Sequence, residues 1–197
     1  MKKITITLIT VITTIVSFAQ TQMRINSSSH LSFKGVPIDG KLNEYILKMR
    51  RNGFTQIGTK DGVVILKGDF ASYKACTVGV ATLKGKDLVS KITVIFPVQE
   101  SWSLLSSNYF NLKEMLTEKY GQPSENVETF ATSDPQDDGT KMIQVHLDAC
   151  KYATTYKTDK GSIQLSIKGD ISSAFVLLTY LDKVNGDIIR AKAKEDL

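Results

Sequence analysis

Two stretches of the chain carry apolar residues at the helical period, and alternating stretches follow each of them. Leu42, Tyr45, Ile46 and Met49 fall at i, i+3, i+4 and i+7, one apolar stripe that predicts a helix ended by Gly53. Asp39 is the expected N-cap of that helix. Gln56 to Thr59, Val63 to Asp69, Ala75 to Leu83 and Leu88 to Phe96 then read as strands, separated by the turns Lys60-Asp61-Gly62 and Gly85-Lys86-Asp87. In the fourth of them Ile92, Val94 and Phe96 share one face, with Lys91 and Thr93 on the other. After Pro97 the period returns to that of a helix: Trp102, Leu105, Tyr109, Leu112 and Leu116, stopped by Gly121 and Pro123.

Strands resume at Glu125 to Ala131. Beyond the acidic turn Ser133 to Gly139, Met142 to Cys150 alternates, with Ile143, Val145 and Leu147 expected inward and His146 outward. Lys151 to Thr158 extends or partners it, and Ile163, Leu165 and Ile167 alternate with Ser162, Gln164 and Ser166. Ala174 to Leu181 is apolar on both faces. Consecutive strands with tight turns imply antiparallel meanders rather than parallel crossovers. The expected fold is α+β: a tandem repeat of one helix plus about four antiparallel strands, with the helices on one face of the sheet. The first unit spans 31–97, the second 98–183, and 184–197 is a charged, solvated tail.

Composition adds an address. MKKITITLITVITTIVSFAQ has a charged start at Lys2 and Lys3, an apolar run from Ile4 to Val16 and the small-x-small end Ser17-Phe18-Ala19. That is the build of a secretory signal peptide over 1–19, and the run is shorter than the ~20 residues of a membrane span. The polar residues 20–30 form a flexible lead-in. The expectation is an exported protein, periplasmic or extracellular, with no membrane span after cleavage. The mature chain keeps about 178 residues and a net charge near +3. No basic stripe interleaved with aromatics appears, so nucleic acid is not an expected partner. Cys76 and Cys150 are an even pair in an oxidising compartment, which permits a disulfide. Cys76 also shares a face with Val78 and Val80, which suits a buried free thiol. Both readings stand open.

Catalytic signatures are sparse. His30 sits in the serine-rich lead-in, and His146 lies four strand residues from Cys150, ~13 Å along an extended chain and too far for a dyad. There is no Gly-x-Ser-x-Gly elbow, phosphate loop or His-Glu-x-x-His. Asp134, Asp137 and Asp138 match no calcium-loop spacing and read as turn formers. No metal or cofactor is expected. The aromatic and aliphatic pattern is more informative. If the helices cover the odd-numbered face of Ala174 to Leu181, then Val176, Leu178 and Tyr180 lie on the open side. Tyr152 and Tyr156 share one face of their strand and join them as candidate binding residues, with Val89 and Ile95 as possible additions.

FKGVPIDG before the first helix, RNGF at its end, LKGDFASY in the second strand and EKYGQP after the second helix resemble phrases of uncharacterised exported small-domain proteins of Bacteroides-type bacteria, over Leu31 to Asp182. The double helix-plus-four-strand plan resembles the β-lactamase-inhibitor-protein fold, whose members bind other proteins across a concave sheet. That resemblance implies a binding role and carries no residue-level site. The sequence points to a non-enzymatic exported binding or accessory protein acting on a protein or envelope component. The alternatives are a hydrolase of envelope or other polymers and a structural subunit or homodimer.

Overall fold

The computed structural model describes residues 28–83, 86–131 and 135–195. The expected signal peptide and most of the lead-in lie outside the described residues. A small hairpin comes first, β1 (Ser32–Phe33) and β2 (Val36–Pro37). Lys34 and Gly35 between them both have positive φ, +50° and +76°, the turn whose twist suits a two-residue hairpin. Helix α1 (Leu42–Arg51) buries Tyr45, Ile46 and Met49 and collects Lys48, Arg50 and Arg51 in its last turn, where positive charge favours the helix dipole. Its N-cap is Lys41 rather than the expected Asp39, and the N–H of Leu42 donates to Asp87 Oδ1 at 3.1 Å. Asp39 faces His30 instead, with Oδ2 3.4 Å from Nε2.

Four strands follow, β3 (Thr55–Lys60), β4 (Val63–Phe70), β5 (Tyr73–Thr82) and β6 (Val89–Ile95). Helix α2 (Trp102–Tyr120) buries Trp102, Leu105, Tyr109, Leu112 and Leu116, the stripe expected from its sequence. Ser101 caps it, its side chain accepting from the N–H of Leu104. The chain continues through β7 (Glu125–Phe130), α3 (Asp138–His146), β8 (Cys150–Thr158), β9 (Gly161–Gly169), β10 (Ala174–Asp182) and α4 (Lys183–Glu195).

Helix α3 corrects an expectation: Met142 to His146 is not strand. The run fits both periods, and the N-terminal chemistry decides. Asp137 accepts the N–H and hydroxyl of Thr140 at 2.8 and 2.6 Å, a helix N-cap. Met142 and Val145, three apart, are then buried, whereas Ile143 and Leu147 point outward at 58% and 73% exposure. Asp148, at φ +54°, reverses the chain into β8. The segment expected as a solvated tail is the second correction. It forms α4, and Asn185 in its first turn is buried.

Eight strands make one sheet in the order β3-β4-β5-β6-β10-β9-β8-β7, every neighbouring pair antiparallel. One face is covered. Ile92 and Val94 of β6 with Phe96 just after it, Ile163, Leu165 and Ile167 of β9, and Val176, Leu178 and Tyr180 of β10 form a continuous core with the buried stripes of α1, α2 and α3. Phe33 of the hairpin seals its centre against Phe54, Phe70 and Tyr180 at centroid distances of 6.0, 4.9 and 5.5 Å. No described helix is long and apolar enough to cross a membrane.

Candidate functional site

Four of the five expected binding residues are in the core: Tyr156, Val176, Leu178 and Tyr180 are between 1% and 4% exposed. Tyr156 places its hydroxyl 2.9 Å from both the Lys113 carbonyl and Thr117 Oγ1 of α2. Tyr152, half-buried, stacks among Trp102, Tyr109 and Phe130 at 5.0–5.7 Å. The expected face assignment is therefore reversed: the helices cover the even-numbered face of β10. Strand β10 is apolar on both sides, so its own alternation could not choose. Its partner could. Register pairs Tyr180, Leu178 and Val176 with Ile163, Leu165 and Ile167, whereas Leu181, Thr179 and Leu177 meet Ser162, Gln164 and Ser166. The polar face of β9 marks the open side. Val89 is likewise buried, while Ile95 is on the open side, opposite Leu177.

That open side runs across all eight strands. Along one row the register sets Thr77, Ile95, Leu177, Ser166, Ala153 and Val127 side by side. The next row carries Ile65, Gly79, Thr93, Thr179, Gln164 and Thr155. The middle strands are small, hydroxylic and aliphatic there, and Lys67 of β4 and Glu125 of β7 continue the rows toward the edges. The apolar stripes of α1, α2 and α3 are buried in the core of the other face.

At one end of the open side lies a cleft of about 610 Å³. Lys91, Leu181, Ser162 and Lys157 are consecutive neighbours across β6, β10, β9 and β8 and form its floor and edges. The first turns of α4 form its wall, with Lys183, Asp187 and Arg190. Beside it a polar knot fixes α4 to the sheet. Asp182, whose side chain is fully buried, accepts the N–H groups of Leu31 and Asn185 at 2.8 and 3.0 Å and lies 2.9 Å from His30 Nδ1. The Asn185 amide donates to the carbonyls of Ile38 and Val89 at 3.2 and 2.8 Å. His30, expected in a loose lead-in, is thus bracketed by Asp182 and Asp39. Sequence reasoning missed Asp182, Asn185, Lys183 and Arg190 because it ended the fold at the last strand. The signal was there: Asp182 is an N-cap residue, and Val184 and Ile188 follow at helical spacing.

The other candidates resolve as structural groups. Cys76 and Cys150 are both free and buried. They sit on β5 and β8, four inter-strand spacings apart, or roughly 19 Å, well outside the ~7 Å reach of a disulfide. His146 ends α3 with Nδ1 2.6 Å from the Asp170 carbonyl. Asp137 caps α3 and Asp138 caps α2, so both carboxylates of the acidic turn already have partners. Asp134 lies outside the described residues. Among the described residues no group of three or more His, Cys, Asp or Glu side chains could hold a metal ion. No family model, curated protein or solved structure matches this chain.

Proposed function

We propose that the chain is an exported binding protein that holds a partner protein or envelope component on the open face of its eight-stranded sheet. The observation that carries this reading is a wide sheet with α1, α2 and α3 packed on one face, while the other meets a helix, α4, only at one end. Seven inter-strand spacings make it about 34 Å wide, and strands of six to ten residues make it on average about 26 Å deep. That area is of the order of the ~800 Å² per partner found in stable protein complexes. Its aliphatic and threonine-rich surface offers apolar burial around Ile95 and Leu177 with hydroxyl and amide groups beside them. The strand order supports a duplicated origin as well. Read from either edge to the β6–β10 seam, it presents first, second, third and fourth strands of a meander. Export rests on the Lys2 to Ala19 pattern. The hydrolase alternative draws less support, since His30 faces carboxylates through both ring nitrogens.

The test is capture of partners by the mature protein beside a Leu177→Arg, Thr155→Arg variant of unchanged Tm and a Phe110→Ser variant on the outer surface of α2. A partner lost only with the sheet-face variant supports the reading. A partner lost only with Phe110→Ser moves the site to the helices. Sedimentation over a range of concentrations separates a second copy from a foreign partner, because self-docking raises the mass with concentration.

A further inference from the structure

We infer that the cleft between α4 and the sheet is a binding site for a small organic polyanion, one carrying carboxylate or phosphate groups on a compact body. The argument begins with charge. Lys91, Lys157, Lys183 and Arg190 converge on one depression, against Asp182 and Asp187. Asp182 faces away into its knot with His30, Leu31 and Asn185 and has little left to offer these cations. Lys157 is paired with Glu125 at 2.5 Å. Among the described residues Lys91, Lys183 and Arg190 have no carboxylate within 4.0 Å. Like charges gathered in a concavity repel one another, and low-dielectric walls concentrate their field on whatever enters.

Shape and lining give the ligand class. A volume of about 610 Å³ falls within the ~300–1,000 Å³ of small-molecule sites. The cations come from two rigid sources. Lys91 and Lys157 stand three strands apart, roughly 14 Å, with Leu181 and Ser162 between them. Lys183 and Arg190 come from α4, which the buried Asp182–Asn185 knot locks against the strand ends. The site is therefore preorganised, with Ala81 and Leu181 as apolar lining, hydroxyls at Thr82, Ser90, Thr158 and Ser162, and charge on opposite sides. A ligand with two separated anionic groups satisfies both sides at once. Arg190 supplies the planar fork that matches a carboxylate or phosphate. This site does not depend on the protein-docking reading, since it is complete within one chain.

The test is calorimetric titration of the mature protein with citrate and with inorganic pyrophosphate, and with sucrose as the neutral control. Binding of either anion with Kd below about 1 mM, weakening as salt rises, is expected. Preference for citrate assigns carboxylate chemistry, and preference for pyrophosphate assigns phosphate. Lys183→Glu with Arg190→Glu should weaken binding at least about tenfold at unchanged Tm, while Lys168→Glu, outside the cleft, should leave it within about twofold. If the double variant does not fold, Arg190→Gln alone should weaken binding at least about threefold. Absence of binding by both anions at about 10 mM overturns the proposal, and so does affinity unchanged in the folded cleft variants.

Discussion

Asp138, in the first turn of α3, closes the N-terminus of α2 around Ser103. Its Oδ1 accepts both the N–H of Ser103 at 2.8 Å and the Ser103 hydroxyl at 2.6 Å, while Oδ2 takes the N–H of Trp102 at 2.9 Å. One carboxylate thus satisfies two of the unpaired donors that every helix start leaves. The Ser103 hydroxyl first, then the two backbone N–H groups, hold its carboxyl below the ordinary carboxylate range. The sign of the consequence is fixed. A carboxyl depressed in the folded state contributes stability above its unfolded value of about 4 and loses that contribution as pH falls. Asp138→Asn should lower Tm at pH 7, and the gap to the wild type should close toward pH 3. Thermal denaturation followed by circular dichroism at the two pH values checks this. A gap that stays constant would remove the carboxylate's charge from the account.

Gly68 on β4 has no room for a side chain. A Cβ there would lie 2.5 Å from Cδ1 of Phe54, whose ring rests on the strand. Gly68→Ala should cost about 1–3 kcal/mol, the range for overpacking a core. Adding Phe54→Leu should cost less than the sum of the two single changes, because the ring being struck is gone. Urea denaturation of all four proteins measures the coupling.

The β4–β5 turn is built from the wrong residues for its shape. Ala71 and Ser72 adopt φ of +49° and +67°, a region that is unfavourable by roughly 1–2 kcal/mol per non-glycine residue. The neighbouring β3–β4 turn holds the same conformation with Asp61 and Gly62. Replacing Ala71-Ser72 by Asn-Gly should raise stability by about 1 kcal/mol. An unchanged midpoint in urea would mean that the turn is not the strained element.

Burial pushes the Cys150 thiol up to about 12, and the Cys76 thiol is raised for the same reason. Thiolate is the reactive form, so neither should react with an aromatic disulfide reagent at pH 8 in the folded protein. Both should react on addition of denaturant. Rapid labelling of native protein, or thiols that label in denaturant only after reduction, would contradict the free and buried thiols.

Strongly periodic segments declared themselves: α2 is the run from Trp102 to Leu116, and β9 is the clean alternation of Ile163, Leu165 and Ile167. Where the sequence misled, two periods or two faces were equally consistent with it. Met142 to Leu147 satisfies both helix and strand, and only the Asp137–Thr140 cap separates them. Strand β10 is apolar on both sides, so its own residues do not mark the covered face, and only pairing with β9 supplies the missing polarity. The cleft was invisible for another reason. Lys91, Lys157 and Arg190 are far apart in sequence and meet only through strand order and α4.

The knot of Asp182 and Asn185 also sets an order of events. The Leu31 N–H near one end of the described chain, and the Ile38 and Val89 carbonyls farther along it, meet side chains of residues 182 and 185. A ribosome that has not yet released residues 182 and 185 holds a chain whose Leu31 N–H has nothing in this knot to close on. The segment around Leu31 is therefore set in place only after the ten strands have been made, however early it leaves the ribosome.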